Sequence, residues 1–140
     1  MSLTTPARSI ESGQAYQNFI GGEWKPARKG ETFVSTNPAR VSDVIGQYQK
    51  SGAADLEEAV EAAVKAQRGW EAIPAPGRGE ILYRVAQILE RRSEEFAQLM
   101  TREMGKILKE TRGDVQVAID VAKFMAGEGR RAEGETIPSA

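Results

Sequence analysis

The sequence predicts a mainly α-helical chain that begins with a small antiparallel β-hairpin region. Short segments rich in β-branched and aromatic residues, separated by turn residues, occupy residues 17–49 approximately. From Asp55 to about residue 127 the apolar residues instead recur with a helical period of roughly 3.6 residues. A length of 140 residues suffices for one ordinary domain. The strands are nevertheless too few for the sheet that a helical layer normally covers, which indicates a part of something larger.

The first strands are predicted from a Gly-Gly turn. Residues 1–15 are polar and unpatterned, and we expect a flexible arm there. Gly21-Gly22 then separates Asn18-Phe19-Ile20 from Glu23-Trp24-Lys25. Two consecutive glycines permit the positive φ angles of a tight hairpin turn, so a β-hairpin is predicted.

Two longer strands are predicted after the hairpin. Thr32 to Thr36 favours a strand that stops at Asn37-Pro38, a turn signal. Asp43 to Gln49 provides the strand that follows. Together these segments predict a small antiparallel element.

The starts of the helices are predicted from capping residues and prolines. Asp55, with Glu58 three residues later, fits a capping box at the first helix. Pro74 and Pro76 end that helix and begin the second. Ser93 is predicted to cap the third helix, with acidic residues in the first turn after it.

The remaining helix ends are predicted from glycines. Gly105 is expected to close the third helix in a left-handed conformation. The last helix is predicted from about Leu108 to Met125, with Gly127 and Gly129 ending it. Both tryptophans, Trp24 and Trp70, are expected to pack in the core of the hairpin and the first helix rather than to stack on a ligand.

Composition excludes several classes of function. The chain has 19 basic and 20 acidic residues, which argues against a nucleic-acid-binding domain and a polybasic membrane patch. No apolar run approaches the roughly 18 residues of a membrane span, and the N-terminus does not resemble a signal peptide. The sequence contains no cysteine and no histidine, so it holds no thiolate nucleophile and no histidine base. We expect a cytoplasmic protein whose chemistry lies elsewhere.

Two glycine motifs are not predicted to bind phosphate or dinucleotide. Glu103-Met104-Gly105-Lys106 lacks the first glycine and the Ser or Thr of a phosphate-binding loop, and it follows a helix. Gly127-Glu128-Gly129 also follows a helix and lacks a third glycine. Both are interpreted as helix ends.

Seven segments, in order, resemble the start of the aldehyde dehydrogenase superfamily. They are Phe19-Ile20-Gly21-Gly22-Glu23-Trp24; Asn37-Pro38-Ala39; Val44-Ile45-Gly46; Ala59 through Trp70; Arg78 with Leu82 and Ile88-Leu89; Thr101-Arg102-Glu103-Met104-Gly105-Lys106 with Glu110; and Phe124-Met125-Ala126-Gly127 followed by Gly134 to Ser139. The segments from Gly77 to Tyr83 and from Met125 to Gly129 are most similar to members that act on α-ketoglutaric semialdehyde or related semialdehydes.

The resemblance implies an α/β enzyme with a Rossmann-like cofactor-binding domain, to which residues 16–140 would contribute the N-terminal part. It implies a catalytic cysteine, a glutamate that activates water, and NAD or NADP as cofactor in the full-length enzyme. The catalytic residues and the cofactor-binding loop would lie after Ala140. No catalytic residue is therefore assigned, and no cofactor is expected to bind this chain alone. A small-molecule aldehyde as substrate and a homo-oligomer are also implied.

The resemblance also implies two minor sites on this chain. Val117, Val121 and Phe124 share a helical face and match the wall of the substrate tunnel, with packing against the Rossmann sheet as the alternative. Glu103, with the backbone near Ser35 and Thr36, matches the place where some members hold a monovalent cation. The alternative for Glu103 is a structural glutamate that caps a neighbouring turn.

These observations lead to two hypotheses for the function, an enzyme fragment and a non-catalytic interaction module. The first is the N-terminal part of an NAD(P)-dependent aldehyde dehydrogenase, inactive alone, which should expose apolar faces that normally cover the Rossmann sheet. The alternative is a non-catalytic helical interaction module derived from that family, whose helices would bury their apolar stripes against one another. A small cofactor-binding enzyme in its own right is disfavoured because the chain has no cysteine, histidine or phosphate loop.

Overall fold

The computed structural model describes residues 15–131 and contains five strands followed by four helices. The strands are β1 (Ala15–Tyr16), β2 (Asn18–Ile20), β3 (Glu23–Lys25), β4 (Thr32–Asn37) and β5 (Arg40–Gln49). The helices are α1 (Ala53–Glu71), α2 (Ala75–Arg91), α3 (Ser93–Met104) and α4 (Leu108–Glu128). The chain forms two compact units with their boundary after Ala62, within α1. Of the predicted arm over residues 1–15, only Ala15 is among the described residues.

The N-terminal unit contains a three-stranded sheet in the order β1-β5-β4. Strands β4 and β5 are antiparallel, as predicted, and Ile45 and Gly46 of β5 are buried. Strand β1 was not predicted and pairs with β5 in parallel, with Tyr16 opposite Tyr48. The Tyr16 and Tyr48 rings stack with their centroids 4.9 Å apart, and Gln49 Nε2 donates to the Tyr16 carbonyl. These contacts explain why so short a strand is held at the sheet edge.

The predicted hairpin is confirmed as the separate antiparallel pair β2–β3. Gly21 and Gly22 have φ angles of 62° and 88°, which is the two-residue turn that only glycine adopts without strain. Phe19 and Trp24 lie directly opposite each other with ring centroids 4.9 Å apart.

The prediction of core positions for the two tryptophans is wrong. Trp24 is 55% exposed and Trp70 is 46% exposed. The physical reason is the same in both cases. Trp24 packs against Phe19 on the outside of a two-stranded hairpin, and Trp70 lies on a face of α1 that remains exposed.

The predicted caps of the first and third helices need correction. Helix α1 begins two residues before Asp55, so Asp55 lies in the first turn rather than at the cap. Gly52 precedes α1 and has no side chain to cap it, and the Asp55 carboxylate accepts a hydrogen bond from the Gly52 N–H at 2.8 Å. Helix α3 begins at Ser93 without a side-chain cap, because only Arg92 separates it from α2 and the Phe96 N–H already bonds to the Arg92 carbonyl.

Proline and glycine mark three of the other helix ends. Pro74 precedes α2, and Pro76 lies in its first turn, as predicted. Gly105 ends α3 with a φ of 75°, also as predicted. Gly127, in contrast, is helical, and α4 ends at Gly129. Glycine at a right-handed helical position costs only about 1 kcal/mol, so Gly127 does not by itself stop a helix.

The C-terminal unit is held together by contacts among α2, α3 and α4. Ala97 of α3 packs against Val115 and Ile119 of α4, and all three are buried. The partly buried residues around this cluster are Leu89, Phe96, Met100 and Leu108. This core fixes the orientation of α4, on which the candidate site lies.

Candidate functional site

Helix α4 has a buried face and an opposite, exposed apolar face. Its buried residues, each at most 4% exposed, are Thr111, Val115, Ile119 and Ala126. A helix turns about 100° per residue, so Val117, Val121 and Phe124 lie together on the far side. They are between 54% and 62% exposed. The structure therefore brings the three predicted tunnel residues onto one continuous surface.

A hydroxyl pair anchors the first turn of α4. The Thr101 and Thr111 hydroxyl oxygens are 2.8 Å apart, and Thr111 is fully buried. The Thr111 hydroxyl also donates to the Leu108 carbonyl at 3.1 Å. A hydroxyl carries one proton, so in the threonine pair Thr101 donates and Thr111 accepts. This contact links α3 to α4 where the helix begins.

Close backbone contact positions the C-terminal half of α4. A Cβ atom at Gly79 of α2 would lie 2.5 Å from the Ala126 carbonyl oxygen, and one at Gly129 would lie 2.6 Å from the Ala75 carbonyl oxygen. Both distances are too short for a side chain, so these positions require glycine. Sequence reasoning missed this contact, although Gly79 and Ala86 lie seven residues apart on one face of α2, and both are buried.

An ion pair joins α3 to α4 near the start of α4. Arg112 donates two hydrogen bonds to the Glu94 carboxylate, at 2.9 Å and 2.8 Å. These bonds, followed by one from Gln98, lower the pKa of Glu94 from 4.5 to about 2. Both ion-pair partners are half exposed, so the pair orients the helices more than it stabilises them.

Two lysines make further ion pairs with acidic partners. Lys106 Nζ lies 2.7 Å from Asp114 Oδ2, and this hydrogen bond raises the pKa of Lys106. Lys123 Nζ lies 3.2 Å from Glu90 Oε1 and joins α4 to α2. The exposed apolar face of α4 is therefore bounded by charged residues and is not itself charged.

A guanidinium group lies beside the last residue of this face. The Arg131 guanidinium carbon is 6.0 Å from the centre of the Phe124 ring, at the outer limit of a cation–π contact. Chemically, Val117, Val121 and Phe124 offer apolar contact to a carbon chain. They supply no acid, base or nucleophile.

The three residues predicted for the cation site lie in different units. Ser35 and Thr36 are neighbours on β4, where the pairing with β5 shifts register. Glu103 is exposed in the last turn of α3, in the C-terminal unit. No single unit contains all three residues, and the cation site stays a prediction.

The N-terminal unit contains a buried carboxylate that sequence reasoning placed only as a cap. Asp55 is 6% exposed and accepts hydrogen bonds from the backbone N–H groups of Gly52 and Arg28, each at 2.8 Å. These two bonds lower its pKa. Glu58, predicted to be part of the same cap, instead accepts a 2.9 Å hydrogen bond from Lys25, and this bond lowers the pKa of Glu58. The contacts tie the loop after β3 to the first turns of α1.

The described residues contain neither a cluster of metal-binding side chains nor a helix that could span a membrane. Between residues 15 and 131, no three acidic side chains lie close enough to hold a metal ion. Over the same residues, no helix combines the length and the apolar character that a bilayer span requires.

The chain matches the model of the aldehyde dehydrogenase family over residues 24–140. It is 43% identical over 130 residues to α-ketoglutaric semialdehyde dehydrogenase of Bacillus subtilis, which covers 93% of this chain and 27% of that protein. It is 39% identical over 122 residues to glutarate-semialdehyde dehydrogenase of Pseudomonas putida, covering 87% of this chain and 25% of that protein. The chain thus spans about a quarter of the length of these relatives.

The fold also matches part of the solved structures of larger proteins. A crystal structure of 1-pyrroline-5-carboxylate dehydrogenase from Thermus with bound NAD superposes with a TM-score of 0.84 at 35% identity, over 91% of this chain and 25% of that one. The predicted α/β family fold is therefore confirmed, with this chain contributing helices and small sheets to it. Since the family model matches most of the sequence, the chain belongs to the aldehyde dehydrogenase family.

Proposed function

We propose that this chain is the N-terminal part of an NAD(P)-dependent aldehyde dehydrogenase that oxidises a semialdehyde to a carboxylic acid. The observation that carries the proposal is the family match over residues 24–140, together with the similarity to two semialdehyde dehydrogenases. NAD or NADP would be held by residues outside this chain. The cytoplasmic location and the homo-oligomer expected from the sequence stay predictions.

We further propose that the 140 residues do not catalyse the reaction on their own. The family resemblance assigns the attack on the aldehyde to a cysteine thiolate, and the 140 residues contain no cysteine. They also contain no histidine that could serve as a base in a substitute mechanism.

The contribution proposed for this chain is one apolar wall of the substrate tunnel. The support is geometric, since Val117, Val121 and Phe124 form an apolar face directed away from the core of the C-terminal unit. An apolar wall would exclude water and position the carbon chain of the substrate without forming bonds to it. The alternative is that this face is covered by packing against the Rossmann sheet.

A monovalent cation site at Glu103, Ser35 and Thr36 is part of the same proposal. In this proposal Glu103 would supply its carboxylate, and the backbone near Ser35 and Thr36 would supply carbonyl oxygen atoms. Oxygen ligands of this kind suit a hard cation. The alternative remains that Glu103 caps a neighbouring turn.

The exposed apolar faces count against the second candidate, the non-catalytic helical interaction module. Its helices would be expected to bury their apolar residues against one another. Leu56 and Val64 of α1 and Val117 of α4 are each more than 60% exposed. Exposed surfaces of this kind therefore favour a chain that belongs to a larger fold.

One experiment separates the two candidates. The source gene is read beyond the codon for Ala140, and the whole encoded polypeptide is assayed with α-ketoglutaric semialdehyde and NAD⁺ or NADP⁺, beside the 140-residue chain. The proposal expects reduced cofactor from the longer polypeptide and none from the 140 residues. A native stop codon after Ala140, or activity of the 140 residues alone, would overturn it.

A variant pair tests the tunnel wall in the longer polypeptide. Phe124→Ala is expected to raise KM for the semialdehyde with little change in Tm, because the side chain is outside the core. Met125→Ala is the control, since Met125 is similarly exposed but rotated by about 100° around α4. Equal KM values for the two variants would favour packing against the Rossmann sheet instead.

A further inference from the structure

We draw no further inference here: the strongest candidate, the open groove of about 580 Å³ between strand β2 and the first turns of α1, is lined mainly by apolar atoms, including those of Phe19 and Leu56, and nothing in the structure shows what fills it.

Discussion

A Cβ atom on Gly79 of α2 would lie 2.5 Å from the carbonyl oxygen of Ala126 on α4. The two helix backbones thus touch without a side chain between them. Interiors are packed as densely as organic crystals, so no free volume at such a crossing can absorb an added methyl group. The position of the exposed face of α4 therefore depends on the absence of a side chain at residue 79.

Gly79→Ala is predicted to destabilise the chain by about 1–3 kcal/mol, because the helices must separate to admit the methyl group. Chemical denaturation followed by circular dichroism measures this change. Alanine has the higher helix propensity, so a loss of stability can come only from the contact with Ala126.

Gly113→Ala is the matched control on α4. A Cβ atom at Gly113 meets nothing within 4 Å, so the substitution is predicted to stabilise the helix by up to about 1 kcal/mol. If both substitutions changed stability in the same direction and by the same amount, the close approach at Gly79 would not be the cause.

Alanine substitution on the two faces of α4 is predicted to change the stability of the chain by very different amounts. Ile119 is 1% exposed and packs in the core, so Ile119→Ala should cost about 2–5 kcal/mol. Val117 is two residues earlier and largely exposed, so Val117→Ala should change stability by less than about 0.5 kcal/mol. Comparable losses from the two variants, measured by denaturation of the 140-residue chain, would contradict this assignment of faces.

Elements governed by local chemistry were predicted from the sequence. The Gly21-Gly22 turn and the left-handed Gly105 each follow from a conformation that glycine adopts more easily than other residues. Pro74 and Pro76 begin α2 because proline lacks the N–H group that the helix interior needs. The spacing of Val117, Val121 and Phe124 was enough to place them on one face of α4.

Features that depend on contacts between residues far apart in the sequence were not predicted. The Gly79–Ala126 contact and the bond from the Arg28 N–H to Asp55 each join residues well apart in sequence. Strand β1 was missed because two residues are too few for a period to show. The tryptophans were assigned to the core because large apolar side chains are usually buried, but no described element covers them.

Asp55→Ala is predicted to lower Tm by about 5 °C at pH 7, because it leaves the N–H groups of Gly52 and Arg28 without their acceptor. Asp55→Asn should lower Tm less, since an amide oxygen can still accept one of the two bonds. Thermal denaturation followed by circular dichroism gives both values.

The pH dependence of the Asp55 effect follows from its lowered pKa. The pKa lies below its ordinary value of 3.8 in the folded chain, so the carboxylate stabilises the fold above that pH. The stabilisation is lost as the pH falls through the folded pKa. The Tm difference between Asp55→Ala and the original chain should therefore shrink below about pH 3.8. A difference that stays constant down to pH 2 would mean that the carboxylate charge does not contribute.

The ion pair between Glu94 and Arg112 leads to a prediction that does not require unfolding the chain. The pKa of Glu94 is lowered to about 2, first by the Arg112 hydrogen bonds and next by the Gln98 hydrogen bond. The carboxylate therefore contributes its stabilisation above pH 4.5, and this contribution is lost as the pH falls towards 2.

Arg112→Ala is predicted to raise the pKa of Glu94 most of the way to 4.5, because it removes both the two donated hydrogen bonds and the positive charge. Gln98→Ala should raise it less, since the amide donates one bond and carries no charge. NMR titration of the side-chain carboxyl carbon measures the pKa in each variant directly. Because the three residues lie on the surface of α3 and α4, neither substitution should unfold the chain. A larger shift in Gln98→Ala than in Arg112→Ala would show that hydrogen bonding along α3, rather than the contact between helices, holds Glu94 ionised.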